Sequence, residues 1–223
     1  MAIIGELSGD GITDAIIGQR NAQARGTKDV CRVFVVFGKI GNSEAAKELS
    51  DLNGTDGCRL NDIRFEGFAR NVGPGGDANG DGFTDVIVEA GAANPYGRED
   101  AGEAYLVFGQ SSFAKSVLLE ALDGSDGVRI AGERIDHRLG RSTNISGNFN
   151  GDGFDDMIIG AYTSHRELTA TTDAEYTIGR AFVVFGSGDG ATPVRNLRTL
   201  DASEGFALGG IAAGDRASAM SPA

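Results

Sequence analysis

The segment Asp77-Ala78-Asn79-Gly80-Asp81-Gly82-Phe83-Thr84-Asp85 places side-chain oxygens at loop positions one, three, five and nine. A hard cation such as Ca2+ takes about six to eight oxygens, so a short loop must turn alternate side chains and a main-chain carbonyl toward one point, with water completing the shell. Asp77, Asn79, Asp81 and Asp85 supply the side chains here, and Phe83 supplies the carbonyl. Gly80 and Gly82 permit the tight curl.

Two further segments follow the same order. Asn148, Asn150, Asp152, the Phe154 carbonyl and Asp156 keep every oxygen but replace the first carboxylate with an amide, which predicts weaker binding. Glu6, Ser8, Asp10, the Ile12 carbonyl and Asp14 begin with a longer carboxylate and a neutral hydroxyl, and lie next to the chain start. The pattern overlaps the first half of an EF-hand loop but lacks its glutamate at position twelve, and strand-like residues stand where helices would flank it. The plainer alternative is an Asx-rich turn that caps a strand without metal. Recurrence of the full oxygen spacing favours the cation.

The elements that must carry these loops repeat with them. Asp10 and Asp81 are 71 residues apart, as are Asp81 and Asp152, which marks copies of one unit. Each loop runs into a β-branched apolar segment: Ala15-Ile16-Ile17-Gly18, Val86-Ile87-Val88-Glu89 and Met157-Ile158-Ile159-Gly160. A second predicted strand is Val33 to Gly38, matched by Ala104 to Gly109 and Ala181 to Gly186. Turns at Leu52 to Gly57, Leu122 to Gly127 and Leu200 to Gly205 lead into a third. A weaker fourth covers Phe68 to Val72, Gly140 to Ile145 and Ser218 to Pro222. Helical turns fit the linkers Lys39 to Asp51 and Gln110 to Ala121, and the stretches Gln19 to Asp29, Ala93 to Ala101 and Tyr162 to Thr177 read as exposed variable loops.

Composition narrows the function classes. The 35 glycines among 223 residues suit many short strands and turns, and the net charge of -12 repels nucleic acid and anionic lipid. No stretch approaches the length of a membrane span, so no membrane insertion is expected. No leader is recognisable; a secretion signal would then lie elsewhere in a longer parent chain or have been removed. If the strands that carry Cys31 and Cys58 pair as an antiparallel hairpin, the two cysteines stand at opposite ends, which disfavours a bridge and reads them as packing residues, with a disulfide as the alternative. His137 and His165 have no nucleophile or zinc pattern beside them and read as surface or loop residues.

With Phe37-Gly38, Phe108-Gly109 and Phe185-Gly186 following the loops, and Gly91-Ala92 and Gly160-Ala161 between strands, the chain resembles the FG-GAP family. That family takes its name from Phe-Gly and Gly-Ala-Pro landmarks of integrin α-subunit propellers and many secreted bacterial proteins. Gly18-Gln19 departs from the second landmark, and the proline is missing throughout. The resemblance covers essentially the whole chain. It implies an all-β, β-propeller fold built from four-stranded blades, about three per chain, with each calcium loop joining a blade's first and second strands. Residues 1–223 then form a single domain with repeats at approximately 1–75, 76–146 and 147–223.

The function so implied is a calcium-binding module for adhesion or recognition of a protein or glycan, extracellular or at the cell surface, and not an enzyme. One alternative is a calcium-dependent polysaccharide-active enzyme or its accessory domain, for which Arg129, Arg138, Arg141 and Lys115 are the available bases. Another is a structural spacer of a larger secreted protein, rigidified by its metal. Propellers close with roughly four to eight blades. Two expectations therefore stand side by side: a homodimer joined head to tail into a six-bladed ring, and a piece of a longer array.

Overall fold

In the computed structural model, residues 1–22, 30–41, 47–61, 68–74, 76–162, 179–188 and 192–211 are described. Their regular structure is β-strand and short 3-10 turn, arranged in three sheets. The first sheet has the order β1 (Ala2–Ile3), β2 (Ala15–Ala22), β3 (Val30–Val36), β4 (Gly57–Asn61) and β8 (Ser116–Leu118). The second runs β5 (Phe68–Pro74), β6 (Val86–Ala90), β7 (Glu103–Val107), β9 (Gly127–Ala131) and β13 (Val194–Asn196). The third contains β10 (Leu139–Gly147), β11 (Asp156–Ala161), β12 (Arg180–Val184) and β14 (Gly205–Gly209).

The sheets pack face to face, and the middle one is buried on both sides. Successive residues of a strand point to opposite faces, so Val86 and Val88 of β6, with Tyr105 and Val107 of β7, join Ile16, Val33, Val35 and Leu60 of the first sheet. Ile87, Leu106 and Ile130 turn the other way, onto Met157, Ile159 and Phe182 of the third. This two-sided burial is why Val86-Ile87-Val88 reads as a continuous apolar run instead of an alternating one. Each such side chain contributes roughly 1.5–3 kcal/mol of burial free energy.

Two features of the pairing differ from the sequence expectation. The weak fourth strand of each of the first two units pairs with the unit that follows: Val72 faces Val88 and Gly73 faces Ile87, while Thr143 faces Ile159. The sheets therefore cross the repeat boundaries at 75 and 146. The cause is local. The oxygen-rich loops are the connections that turn β5 back on β6 and β10 back on β11, so each pair runs as antiparallel neighbours. In addition, β8 and β13 add short parallel strands to β4 and β9 of the preceding sheet. The linker turns are 3-10, at Leu49–Asp51, Leu119–Ala121 and Leu197–Thr199. The segment Ser218 to Pro222, His165 and most of Tyr162 to Thr177 lie outside the described residues.

His137 lies in the β9–β10 connection as expected of a loop residue, but it is fully buried rather than on the surface. Burial, reinforced by the charges of Arg134 and Arg180, pushes its imidazole down to about 4. Cys58 is a free, buried thiol pushed up to about 12 by the same loss of solvent, with the charge of Asp14 adding to it. It faces Val35 across the β3–β4 ladder.

Candidate metal centre

The three oxygen-rich loops occupy equivalent places, each leading into the second strand of its sheet, β2, β6 or β11. Their glycines curl the backbone into the left-handed region: φ is +76° at Gly80 and +89° at Gly82, and the third loop repeats this at Gly151 (+82°) and Gly153 (+103°). An L side chain is strained there.

In the second loop the curl turns oxygens inward on backbone amides. Asp77 Oδ1 accepts from the Asp81 amide at 3.0 Å and its Oδ2 from Gly82 at 3.0 Å. Asn79 Oδ1 also accepts from Asp81, and Asp81 Oδ1 accepts from Phe83 at 2.9 Å. The third loop reproduces the set except for the Gly82 bond: Asn148 Oδ1 and Asn150 Oδ1 accept from the Asp152 amide, each at 3.0 Å, and Asp152 Oδ1 accepts from Phe154 at 2.9 Å. The first loop keeps only Asp10 Oδ1 with the Ile12 amide, at 2.9 Å. Its Glu6 Oε1 is buried without a hydrogen-bond partner.

Position nine behaves differently from the others. Asp14, Asp85 and Asp156 are buried at the base of their loops. One oxygen of each accepts from the amide at loop position two, Leu7, Ala78 or Phe149. The other accepts from the glycine of the Phe-Gly landmark: Gly38 at 2.8 Å, Gly109 at 2.9 Å and Gly186 at 2.9 Å. The landmark is thus the second anchor of the loop. A side chain at Gly109 would start 2.5 Å from Phe83 Cβ and 2.7 Å from the Thr84 carbonyl, so only glycine brings its N–H this close.

The electrostatics of the second loop fit a cation. Burial pushes the Asp85 carboxyl up to about 8; the Gly109 and Ala78 amides oppose this, while the charges of Asp81 and Asp77 push it further. A positive ion among these oxygens would offset both the desolvation and the mutual repulsion. Burial likewise raises Asp14, opposed by the amides of Gly38, Ser8 and Leu7. No three His, Cys, Asp or Glu side chains among the described residues group as a ready metal cluster. Part of each loop's oxygen set is amide, hydroxyl or carbonyl, and Asn79 Nδ2 and Asn150 Nδ2 instead donate to Asp81 Oδ2 and Asp152 Oδ2.

Position eight, which the motif leaves unassigned, ties neighbouring loops together. The Glu6 amide donates to Thr84 Oγ1 at 3.1 Å while the Thr84 amide donates to the Glu6 carbonyl. Asp77 and Asp155 repeat the exchange through Asp155 Oδ2 at 2.9 Å. The position-seven rings cap the position-four glycines of the preceding loop, Phe83 on Gly9 and Phe154 on Gly80. The common 78-residue step from Glu6 to Thr84 and from Asp77 to Asp155 was the available sequence signal.

No protein-family model matches the chain. The chain is similar to integrin alpha-V of Gallus gallus, 28% identical over 165 residues that cover 70% of this chain and 14% of that protein. It is also similar to integrin alpha-4 of Xenopus laevis, 30% identical over 172 residues covering 75% of this chain and 14% of that protein. The chain therefore spans about one seventh of the length of these curated relatives, and its similarity to integrin alpha chains runs through most of its own length.

Proposed function

We propose that this chain is a calcium-binding β-propeller module of the FG-GAP type that serves extracellular adhesion or recognition of a protein or glycan. The observation that carries the proposal is the Asp85 carboxylate, buried and pressed toward its neutral form beside two further acids in a loop whose oxygens are already turned inward. Asp77, Asn79, Asp81, the Phe83 carbonyl and Asp85 would hold the ion in the second loop, and Asn148, Asn150, Asp152, the Phe154 carbonyl and Asp156 in the third. Glu6, Ser8, Asp10, the Ile12 carbonyl and Asp14 form the first site, where the unmatched Glu6 oxygen is the ligand awaiting a partner. Bound Ca2+ supplies charge compensation and cross-links each loop, a structural role.

The similarity to integrin alpha chains supports the adhesion reading and a cell-surface or secreted location. Arg129 and Arg138 pair with Glu103 at 3.7 Å and Asp100 at 2.8 Å, an arrangement of held cations that lends no support to a catalytic base. Calorimetric titration with Ca2+, paired with melting curves in calcium and in chelator, tests the proposal. Two or three sites and a raised melting temperature are expected; no heat and an unchanged melt at millimolar Ca2+ would overturn it.

A further inference from the structure

The oxygen-rich loops touch one another in a fixed direction: positions seven and eight of a later loop hold positions four and one of the loop before it. Asp155, position eight of the third loop, accepts the Asp77 amide on Oδ2 at 2.9 Å and donates its own amide to the Asp77 carbonyl at 3.0 Å. The Phe154 ring lies against Gly80, 2.6 Å from where a side chain there would begin. The second loop holds the first in the same way. Thr84 exchanges two hydrogen bonds with Glu6, at 3.1 and 2.9 Å, and the Phe83 ring lies against Gly9.

These contacts run between residues that calcium binding would make ligands. Asp77 carries the first oxygen of the second loop, and Asp155 stands between the last two donors of the third, the Phe154 carbonyl and the Asp156 carboxylate. Both hydrogen bonds of Asp155 to Asp77 leave the third loop, and the oxygen spacing gives Asp155 no place among that loop's own ligands. An ion that fixed Phe154 and Asp156 would fix Asp155 between them, backbone and side chain together. Asp155 would then present Asp77 already in place, so that less of the second loop is left to order when its own ion arrives.

We propose, resting on the calcium binding proposed above, that Asp155 is a positioning residue for the neighbouring site: it couples the second and third loops so that calcium in either strengthens binding in the other. Thr84 has the same place between the first and second loops. Two divalent ions in adjacent loops repel each other, which alone would make the sites oppose one another. The loop tips at Asp81 and Asp152 are exposed, where water and salt screen that repulsion. The shared ordering of Asp155 and Asp77 acts in the opposite sense and sets the sign.

The experiment follows the Gly82 and Gly153 amide signals by NMR while calcium is added to the 223-residue chain, so that each loop reports its own midpoint. Asp152→Ala removes a ligand of the third loop whose hydrogen bonds stay within that loop. It should raise the Gly82 midpoint about fivefold or more, and Asp81→Ala should raise the Gly153 midpoint by the same factor, as linkage requires. In an Asp155→Ala background Gly82 should start from the higher midpoint, and Asp152→Ala should move it by less than about twofold. Asp155→Thr should restore the coupling, since a hydroxyl at this position serves Glu6 in the preceding joint. A Gly82 midpoint that Asp152→Ala leaves unchanged or lowers would overturn the coupling, and that comparison decides it even where an Asp155 variant folds poorly. An effect that persists in full in Asp155→Ala, or that Asp155→Thr fails to restore, would overturn the role of Asp155. Gly82 and Gly153 signals that calcium does not move in the wild-type chain would instead sink calcium binding itself, and the coupling with it.

Discussion

Replacing Asp85 with alanine separates the loop's anchor from its cation shell. The change strands the Ala78 and Gly109 amides, which the carboxylate holds at 2.8 and 2.9 Å. Each buried amide left without an acceptor costs about 1–3 kcal/mol. Against this, the variant no longer buries a carboxyl whose ionised form is disfavoured, as its rise to about 8 records, so the lower part of the range applies, roughly 2–4 kcal/mol. For a chain of this size that is a fall of roughly 5–15 °C in melting temperature, read by circular dichroism in chelator. Asp81→Ala is the control. Asp81 is exposed and holds only the Phe83 amide and the Asn79 side chain, so its melt in chelator should move by less than about 2 °C. In calcium at about one hundred times the dissociation constant, however, it should forfeit about 2.7 kcal/mol of ligand stabilisation. An Asp85→Ala protein that melts like the wild type in chelator would refute the anchor, and an undiminished calcium shift in Asp81→Ala would refute the cation shell.

Gly80→Ala should cost about 2–4 kcal/mol, since φ is +76° and the new methyl starts 2.6 Å from the Phe154 ring, whereas Gly82→Ala at φ +89° meets open space and should cost only about 1–2 kcal/mol; paired urea titrations compare them. The unfolded chain binds a proton at His137 between pH 6.5 and about 4 that the folded chain refuses, so this contribution to stability is full above pH 6.5 and is lost as the pH falls. The loss reaches roughly 3 kcal/mol at most, and urea midpoints at pH 7 and pH 4.5 should converge in His137→Leu relative to the wild type; equal pH dependence in both proteins would contradict it. In a Cys31→Ser protein the buried Cys58 thiol should resist a soluble disulfide reagent at pH 8 until denaturant is added, and prompt labelling of the folded protein would show it open.

What the sequence yields and withholds follows from which interactions are local. The strands of the middle sheet are visible in Val86-Ile87-Val88 and Ala104 to Val107 because both faces are buried and the apolar run is unbroken. The loops are visible because their oxygen spacing is set by one short curl. The parallel strands β8 and β13 are invisible: Ser116-Val117-Leu118 and Val194-Arg195-Asn196 share no side-chain pattern, since their pairing is through backbone to a strand more than fifty residues earlier. His137 misled for the same reason, its burial arising from elements packed around a loop that composition marks as polar.

The Phe-Gly landmark carries the furthest consequence. Read as a strand end, it explains nothing about the glycine; placed in the fold, that glycine's amide is one jaw of a clamp whose other jaw is the loop's second residue, both closing on the position-nine carboxylate. The same turn sends the next amide to the neighbouring loop, Gln110 to Leu7 and Ser187 to Ala78. Loop shape and sheet-to-sheet packing are therefore held by consecutive residues. On the proposed calcium reading, a cation that stiffened one loop would also stiffen the joint to its neighbour, and calcium occupancy and the firmness of the stack would be coupled. Hydrogen exchange at the Gln110 and Ser187 amides measures that coupling: both should slow together on adding calcium, and unchanged exchange there with a calcium-protected Phe83 amide would confine the metal's effect to its own loop.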